Sequence, residues 1–326
     1  MNIKEKFIEL TSKTYPHPQD IEVLKLLPDG LTEDPFGNYY KVIGDSDTIF
    51  SAHLDTADMN QKDVTHIFDK DENGDEWIRT DGTSILGADD KAGVVVLLYM
   101  MENKVPGIYY FFVGEEVGLV GSGRLSDNFE KFKFLSDVKR MVSFDRRAFN
   151  SIISRQMGRN CCSKEFVSDL SEQYGKNGLV MTDDPTGIYT DSAIFIDKIP
   201  ECTNISVGYF NEHTHRECQN ISFLERLCEA SINVKWDELD IGRSLGIDED
   251  LYDEKEEIIE HIESLEFING KSIHEEDGKL CISLTVEDTS SEVLLTEIEA
   301  LVETFNKFKS DIDVKVNQNT IEILVD

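Results

Sequence analysis

The chain has 326 residues, 40% hydrophobic and 30% charged, with 65 acidic against 32 basic side chains and a formal charge of −33. At about 150 residues per domain, this length predicts two domains, or one large domain with an appendage. The acidic balance argues against nonspecific nucleic-acid binding and against anionic membranes, both of which reward Lys/Arg patches, and no apolar run approaches the ~20 residues of a membrane span.

The opening segment, MNIKEKFIELTSKTYPHPQD, reads as an amphipathic helix without the apolar stretch of a signal peptide. Strands are predicted at 47–52 (DTIFSA), 107–113 (GIYYFFV), 139–144 (KRMVSF) and 201–207 (ECTNISV), each short, β-branched or aromatic, and bounded by turn residues. Between the first two lies AGVVVLLYMMEN (92–103), long and apolar enough for a buried helix. This alternation predicts an α/β domain around a mixed, largely parallel sheet. The cysteines Cys161, Cys162, Cys202, Cys218, Cys228 and Cys281 form no CxxC pair, so they read as reduced thiols of a cytoplasmic protein.

A polar, acidic stretch at 237–254 marks a boundary. From Asp237 onward there are 26 acidic and 7 basic residues, so −19 of the −33 lies in the last 90 positions. The expected division is a first domain over 1–240 and a small acidic α+β domain over 241–326. In the second, helices are predicted at 254–267 and 290–309, where Val293, Leu294, Ile298, Leu301, Val302 and Phe305 share a face. KLCISLTV (279–286) reads as a strand, and the alternation of Ile312, Val314 and Val316 against Ile321, Ile323 and Val325 as a hairpin.

Acid and imidazole groups recur where the strands of the first domain end. His53 and Asp55 follow the first strand, Glu115 and Glu116 the second, Asp145 the third and His213 the fourth, while Asp89 and Asp90 precede the helix. Ligands of open α/β sheets bind in the crevice at the carboxyl ends of the strands. Carboxylates gathered there repel one another unless cations sit among them. Three carboxylates facing two divalent ions leave about +1, which suits a bound hydroxide, and mixed His/carboxylate donors suit Zn²⁺, with Co²⁺ or Mn²⁺ as substitutes. Taken singly, each motif has a plainer explanation: a hydrogen-bonded HxD pair, a solvated Glu pair, a DDK helix cap with an exposed ion pair. Their joint occurrence, in order and each at a strand end, favours the metal site.

The order HLDTAD, GADDKAG, GEEVGLVGS, FDRR and TDS…GYFNEHTHRE resembles the co-catalytic dizinc aminopeptidase and carboxypeptidase superfamily, which includes the peptidase T-like tripeptidases, the acetylornithine deacetylase-type enzymes and related aminopeptidases. The likeness covers roughly residues 1–235 and implies a zinc-exopeptidase-like three-layer αβα core. It implies His53 as ligand of one metal with Asp55 behind its ring, Asp89 bridging both metals, Asp145 completing the first set, and Glu116 and His213 serving the second. Glu115 would be the general base, acting on a water that bridges the two ions. His215, two residues on from His213, competes for its role if the segment is extended. Asp191 and Ser192 fall where such enzymes shape the floor of the specificity pocket, with a plain turn as the alternative.

Many relatives carry a lid or dimerisation domain of ~100 residues between the last two ligands, whereas here Asp145 and His213 are only 68 positions apart. The expected function is therefore an aminopeptidase-like hydrolase of short peptides without that lid, able to form homo-oligomers. The alternatives are a deacylase of N-acyl amino acids, which would use the same ligands, and a noncatalytic metal-stabilised binding module. Arg146 and Arg147 could grip a substrate carboxylate, against ordinary ion pairing with the acidic surface. GLVGSG (118–123) lacks the GK[ST] of a phosphate loop and reads as turn glycine.

Overall fold

The computed structural model describes residues 1–245, 268–276, 279–286, 312–317 and 320–325. The chain divides into two compact units, Met1–Gly246 and Ile247–Asp326.

The first unit begins with helix α1 (Ile3–Leu10), which buries Ile3, Phe7 and Leu10 and is capped by the Asn2 side chain accepting from the Glu5 N–H at 3.0 Å. Strands β1 (Thr32–Glu33), β2 (Tyr39–Ile43) and β3 (Thr48–His53) follow, then the hairpin β4 (His66–Lys70) and β5 (Glu76–Thr80). Helix α2 (Ala88–Glu102) leads into β6 (Gly107–Phe112), α3 (Val120–Asp127) and β7 (Arg140–Arg146). Next come β8 (Ser151–Ile153), the small ribbon β9 (Arg155–Gln156) and β10 (Arg159–Asn160), α4 (Lys164–Lys176) and β11 (Thr182–Asp184). The unit closes with β12 (Glu201–Ser206), β13 (Tyr209–Phe210), β14 (Cys218–Asn220) and α5 (Ile221–Ser231).

Eight strands form the main sheet in the order β1-β2-β6-β3-β7-β12-β8-β11. Its centre, β6-β3-β7-β12, is parallel throughout, and β2 and β8 add antiparallel pairs on either side. Every residue of β3, β6 and β12 is buried, so both faces of the sheet are covered. One cover is α2, which packs on β3 and β7 and is itself overlaid by α1 and α5. That position explains its apolar VVVLLYMM run: a helix sandwiched between layers has little wet face on which to place polar residues. The turn Asp191–Phe195 packs with α3 and against β3, β7 and β12. A second sheet, β13-β14-β5-β4, is antiparallel.

The second unit contains strands β15 (Ile268–Glu276), β16 (Lys279–Val286), β17 (Ile312–Asn317) and β18 (Thr320–Val325), an antiparallel sheet in the order β15-β16-β18-β17. The strand at 279–286 and the terminal hairpin stand as the sequence predicts, with Ile312 opposite Val325 and Val316 opposite Ile321. The helices predicted at 254–267 and 290–309 lie outside the described residues. Among those residues, no helix is long and apolar enough to cross a membrane.

Gly93 sets how closely α2 approaches β7. A Cβ there would lie 2.1 Å from the Phe144 carbonyl oxygen and 2.5 Å from Asp90 Oδ1, so the helix could not stay where it is. Gly93→Ala is expected to cost about 1–3 kcal/mol by overpacking, whereas Gly123→Ala, with nothing within 4 Å of its added carbon, should be neutral or slightly stabilising. Urea denaturation of the two variants checks this, and equal stabilities would contradict the packing described.

Candidate metal centre

Three neighbouring parallel strands, β6, β3 and β7, deliver site residues to one edge of the sheet. His53 is the last residue of β3, Asp145 lies one position before the end of β7, and Glu115 and Glu116 stand on the turn after β6. Asp89 enters from the start of α2, where its peptide bond to Asp90 is cis. His213 sits on a turn after β13 with φ of +59°.

Two groups of donor atoms result, with Asp89 common to both. In one, His53 Nε2 lies 3.0 Å from Asp89 Oδ1 and 3.7 Å from Asp145 Oδ1. In the other, His213 Nε2 lies 3.0 Å from Asp89 Oδ2 and 3.0 Å from Glu116 Oε1. Glu116 Oε1 is buried and yet makes no well-oriented hydrogen bond. A divalent cation between these nitrogens and oxygens would take the place of the protons they share, using the same lone pairs. The mixed imidazole and carboxylate set fits Zn²⁺, Co²⁺ or Mn²⁺.

Asp90 is also near, its carboxylate among the donor atoms gathered with His53 and Asp145. Its oxygens are already engaged: Oδ2 accepts from the His53 N–H at 3.2 Å and Oδ1 from the Gly93 N–H at 3.0 Å. Asp55 is engaged in the same way. Its two oxygens accept the N–H groups of Glu115 and Glu116, both at 2.9 Å, and Oδ1 lies 3.2 Å from His53 Nδ1. One carboxylate therefore fixes both glutamates and orients the imidazole, leaving Nε2 to face Asp89 and Asp145.

The DDK motif is not an exposed cap. Asp90 and Lys91 are buried, and Lys91 Nζ donates to the Asp55 carbonyl at 2.9 Å. The segment around His213 is a turn and not a strand, so an i, i+2 argument does not apply to it. His213 faces Asp89 and Glu116, whereas the described contact of His215 is its carbonyl, which accepts from Thr80 Oγ1 at 3.3 Å.

Electrostatics follow from burial. Burial and the neighbouring Asp145, Asp191 and Glu116 push Glu115 up to about 10, against the pull of His53. Burial likewise raises Glu116, Asp90 and Asp145, the last well above the usual carboxylate range. Asp89 goes the other way: burial opposes it, but hydrogen bonds from His213 and His53 hold it low. The adjacent Asp89 and Glu116 carboxylates take His213 up to about 11, against the effect of burial.

Glu115, Glu116, Asp89, Asp145 and His213 line an open cleft with Arg146, Arg147, Gln156, Ile188, Tyr189, Thr190 and Glu212. Asp191 and Ser192 are buried and do not line it; Ser192 meets the lining residue Gln156 at 3.3 Å. Arg146 lines the cleft but is held by Asp184 at 3.2 Å and Thr186 Oγ1 at 2.9 Å, the ion pairing weighed for it.

The sequence gives no sign of the residues that hold Asp145. Thr190 Oγ1 donates to its Oδ2 at 2.8 Å, Tyr209 OH to its Oδ1 at 3.2 Å, and Asn204 brackets its backbone. Nor is Glu217 marked out. It is buried, its Oε2 accepts from Leu86 and Gly87 at 2.8 and 2.7 Å, and its Oε1 accepts from the Asp89 N–H at 3.0 Å. Burial pushes its carboxyl up to about 7 against those three N–H groups.

No protein-family model matches the chain. Over 88 residues it is 41% identical to the uncharacterized protein YqjE of Bacillus subtilis (strain 168), a match spanning 24% of this chain and 22% of that relative. Among solved structures it resembles aminopeptidase PepT of Bacillus cereus ATCC 10987, with a TM-score of 0.57 at 18% identity over 71% of this chain and 96% of the other. A tripeptidase of Staphylococcus aureus subsp. aureus mu50 gives 0.53 at 18% identity over 72% and 97%. The TET1 peptidase of Pyrococcus horikoshii gives 0.51 at 16% over 71% and 98%. The chain has the fold of the PepT and TET aminopeptidases. The part these structures share with it is about the size of its first unit.

Replacing Glu217 by Ala leaves three backbone N–H groups without their acceptor, at about 1–3 kcal/mol each. Glu217→Ala is therefore expected to lose at least about 3 kcal/mol of stability in urea denaturation, and loss of less than about 1 kcal/mol would show that the clamp is unimportant.

Proposed function

We propose that this protein is a metal-dependent hydrolase that cleaves the N-terminal residue from short peptides. Two close-set donor groups support this, His53, Asp89 and Glu116 in one and His53, Asp90 and Asp145 in the other, with His213 3.0 Å from both Asp89 and Glu116. Of these we assign His53, Asp89 and Asp145 to one ion and His213, Asp89 and Glu116 to the other. The observation that carries the reading is Glu115. It lines the cleft beside both clusters, belongs to neither, and its side chain accepts no hydrogen bond from the described residues. A site that served only to stabilise the fold would have no use for a carboxylate held back in this way.

A pair of divalent ions, when bound, polarises a scissile carbonyl and makes nearby water more acidic. The chain's own residues do the rest. With divalent ions beside it, Glu115 would be drawn back to its ionised form, in which it takes the proton of the attacking water and returns it to the departing amine. Asp55 keeps Glu115 in place through the backbone and holds the His53 ring so that Nε2 faces the cluster. Thr190 and Tyr209 restrain the Asp145 carboxylate, so its orientation does not have to be selected at each turnover. The cleft is open, which fits a short peptide chain. The TET1 peptidase it resembles assembles into a tetrahedron or a large octahedral shell, and self-association of this chain is expected as well.

Glu115→Gln should keep bound metal but lose about 10²–10⁴-fold in turnover, the usual share of a general base. Metal analysis and peptide assays on one preparation check this, and unchanged turnover would remove Glu115 from the mechanism. Phenanthroline should abolish hydrolysis, and Zn²⁺, Co²⁺ or Mn²⁺ should restore it; activity that survives complete chelation contradicts the reading. Peptides with a free N-terminus should be cleaved and their N-acetylated forms spared. The reverse preference would make the protein a deacylase.

A further inference from the structure

The cleft holds a cation that the proposed chemistry does not use. Arg146 and Arg147 both line it, directly after Asp145, but they differ. Arg146 is largely buried, its guanidinium tied to Asp184 and Thr186. It thereby moors the loop that carries Ile188 and Tyr189, which are 72% and 52% exposed. The Arg147 side chain is 58% exposed and meets one partner among the described residues, Glu212, through Nη1 to Oε1 at 3.1 Å. Its backbone is fixed, because its carbonyl accepts from Ser206 Oγ at 2.7 Å. The side chain can thus reorient without moving the strand end that carries Asp145.

Glu212 immediately precedes His213, so the Arg147–Glu212 pair stands beside the second cluster. One monodentate contact occupies one of five guanidinium N–H donors, and an exposed pair of this kind is worth little in water. A planar carboxylate arriving with a substrate could take two donors at once. At physiological salt the screening length is about 8 Å, so the cleft's own groups decide: cations at the proposed site would offset Asp89, Glu116 and Asp145, and Arg147 is the exposed cation at the rim, opposite Glu212.

We infer that Arg147 is a specificity-determining residue that exchanges Glu212 for a carboxylate of the substrate. The preferred substrates are then short peptides with an anionic group close to the scissile bond, beside an apolar side chain lying on Ile188 and Tyr189. The carboxylate can be the peptide's own C-terminus or an acidic side chain. This inference rests on the peptidase reading above.

The test uses the full-length, zinc-loaded protein and three peptides, Leu-Gly-Gly, its C-terminal amide, and the amide of Leu-Gly-Glu. Loss of a charge-assisted contact lowers affinity about tenfold or more. Arg147→Met should therefore reduce kcat/KM about tenfold, through KM, for whichever peptide's carboxylate is recognised, with less than about a twofold effect on the uncharged amide. Loss confined to Leu-Gly-Gly assigns the C-terminus, and loss on the Leu-Gly-Glu amide assigns the acidic side chain. Glu212→Gln, which removes the competing carboxylate, should lower KM for the same peptide, an effect that a structural role for the pair does not produce. Equal losses on all three peptides, or none, overturn the inference and leave the peptidase reading intact. If none of the three is hydrolysed by the unmodified protein, both fall together.

Discussion

Four adjacent parallel strands, β6-β3-β7-β12, end at the same edge of the sheet, and the chemistry of this molecule follows from that geometry. His53, Glu115, Glu116 and Asp145 meet there because neighbouring strands have neighbouring ends, and the start of α2 and the turn after β13 bring in Asp89 and His213. The cost is electrostatic. Two buried carboxylates under 5 Å apart repel by roughly 3–4 kcal/mol at an effective dielectric of about 20. Burial and this repulsion raise Glu116, Asp90 and Asp145 together. The imidazoles outweigh them at Asp89, which both rings touch, and His53 does the same at Asp55. Positive charge among the donors would balance the arrangement, and this is what the proposed cation pair supplies.

The acids around this edge divide by what they hold. Asp55, Asp90 and Glu217 are buried and accept backbone N–H groups, fixing the Glu115–Glu116 turn, the end of β3, and the loop that leads into α2. Asp89, Asp145 and Glu116 keep oxygens directed at imidazole nitrogens. Glu115 keeps its carboxylate in the cleft. Such a division gives a rigid frame and a small set of reactive groups. It also explains how a protein can place so many carboxylates together without losing the fold: several of them are structural acceptors whose removal would leave buried donors unpaired.

Much of this was legible in the sequence, and the exceptions have physical reasons. The central strands and α2 stand out because short β-branched or aromatic runs and one long apolar run are bounded by turn residues. The clustered acids stand out because Asp55, Glu115, Glu116 and Asp145 follow the predicted strands and Asp89 and Asp90 open a helix. The terminal hairpin is visible in the alternation of Ile312, Val314 and Val316. By contrast, DDK looks like an exposed helix start, since nothing local reveals that Lys91 will be covered and will bind the Asp55 carbonyl. The stretch around His213 looks extended because positive φ at a non-glycine residue leaves no mark in composition. Glu217, Thr190, Tyr209 and Asn204 act through distant partners, and long-range pairing of that kind has no period or spacing for a single sequence to display. Asp191 and Ser192 sit one layer deeper than their place in the chain suggested.

We propose that Asp89 is shared by two cations, one beside His53 and Asp145 and the other beside His213 and Glu116. Anomalous diffraction at the zinc edge from crystals of the zinc-loaded protein tests it most directly. Two peaks are expected, one at each donor cluster and both in contact with Asp89. A single peak that avoids Asp89, or density at neither cluster in catalytically active material, would contradict it.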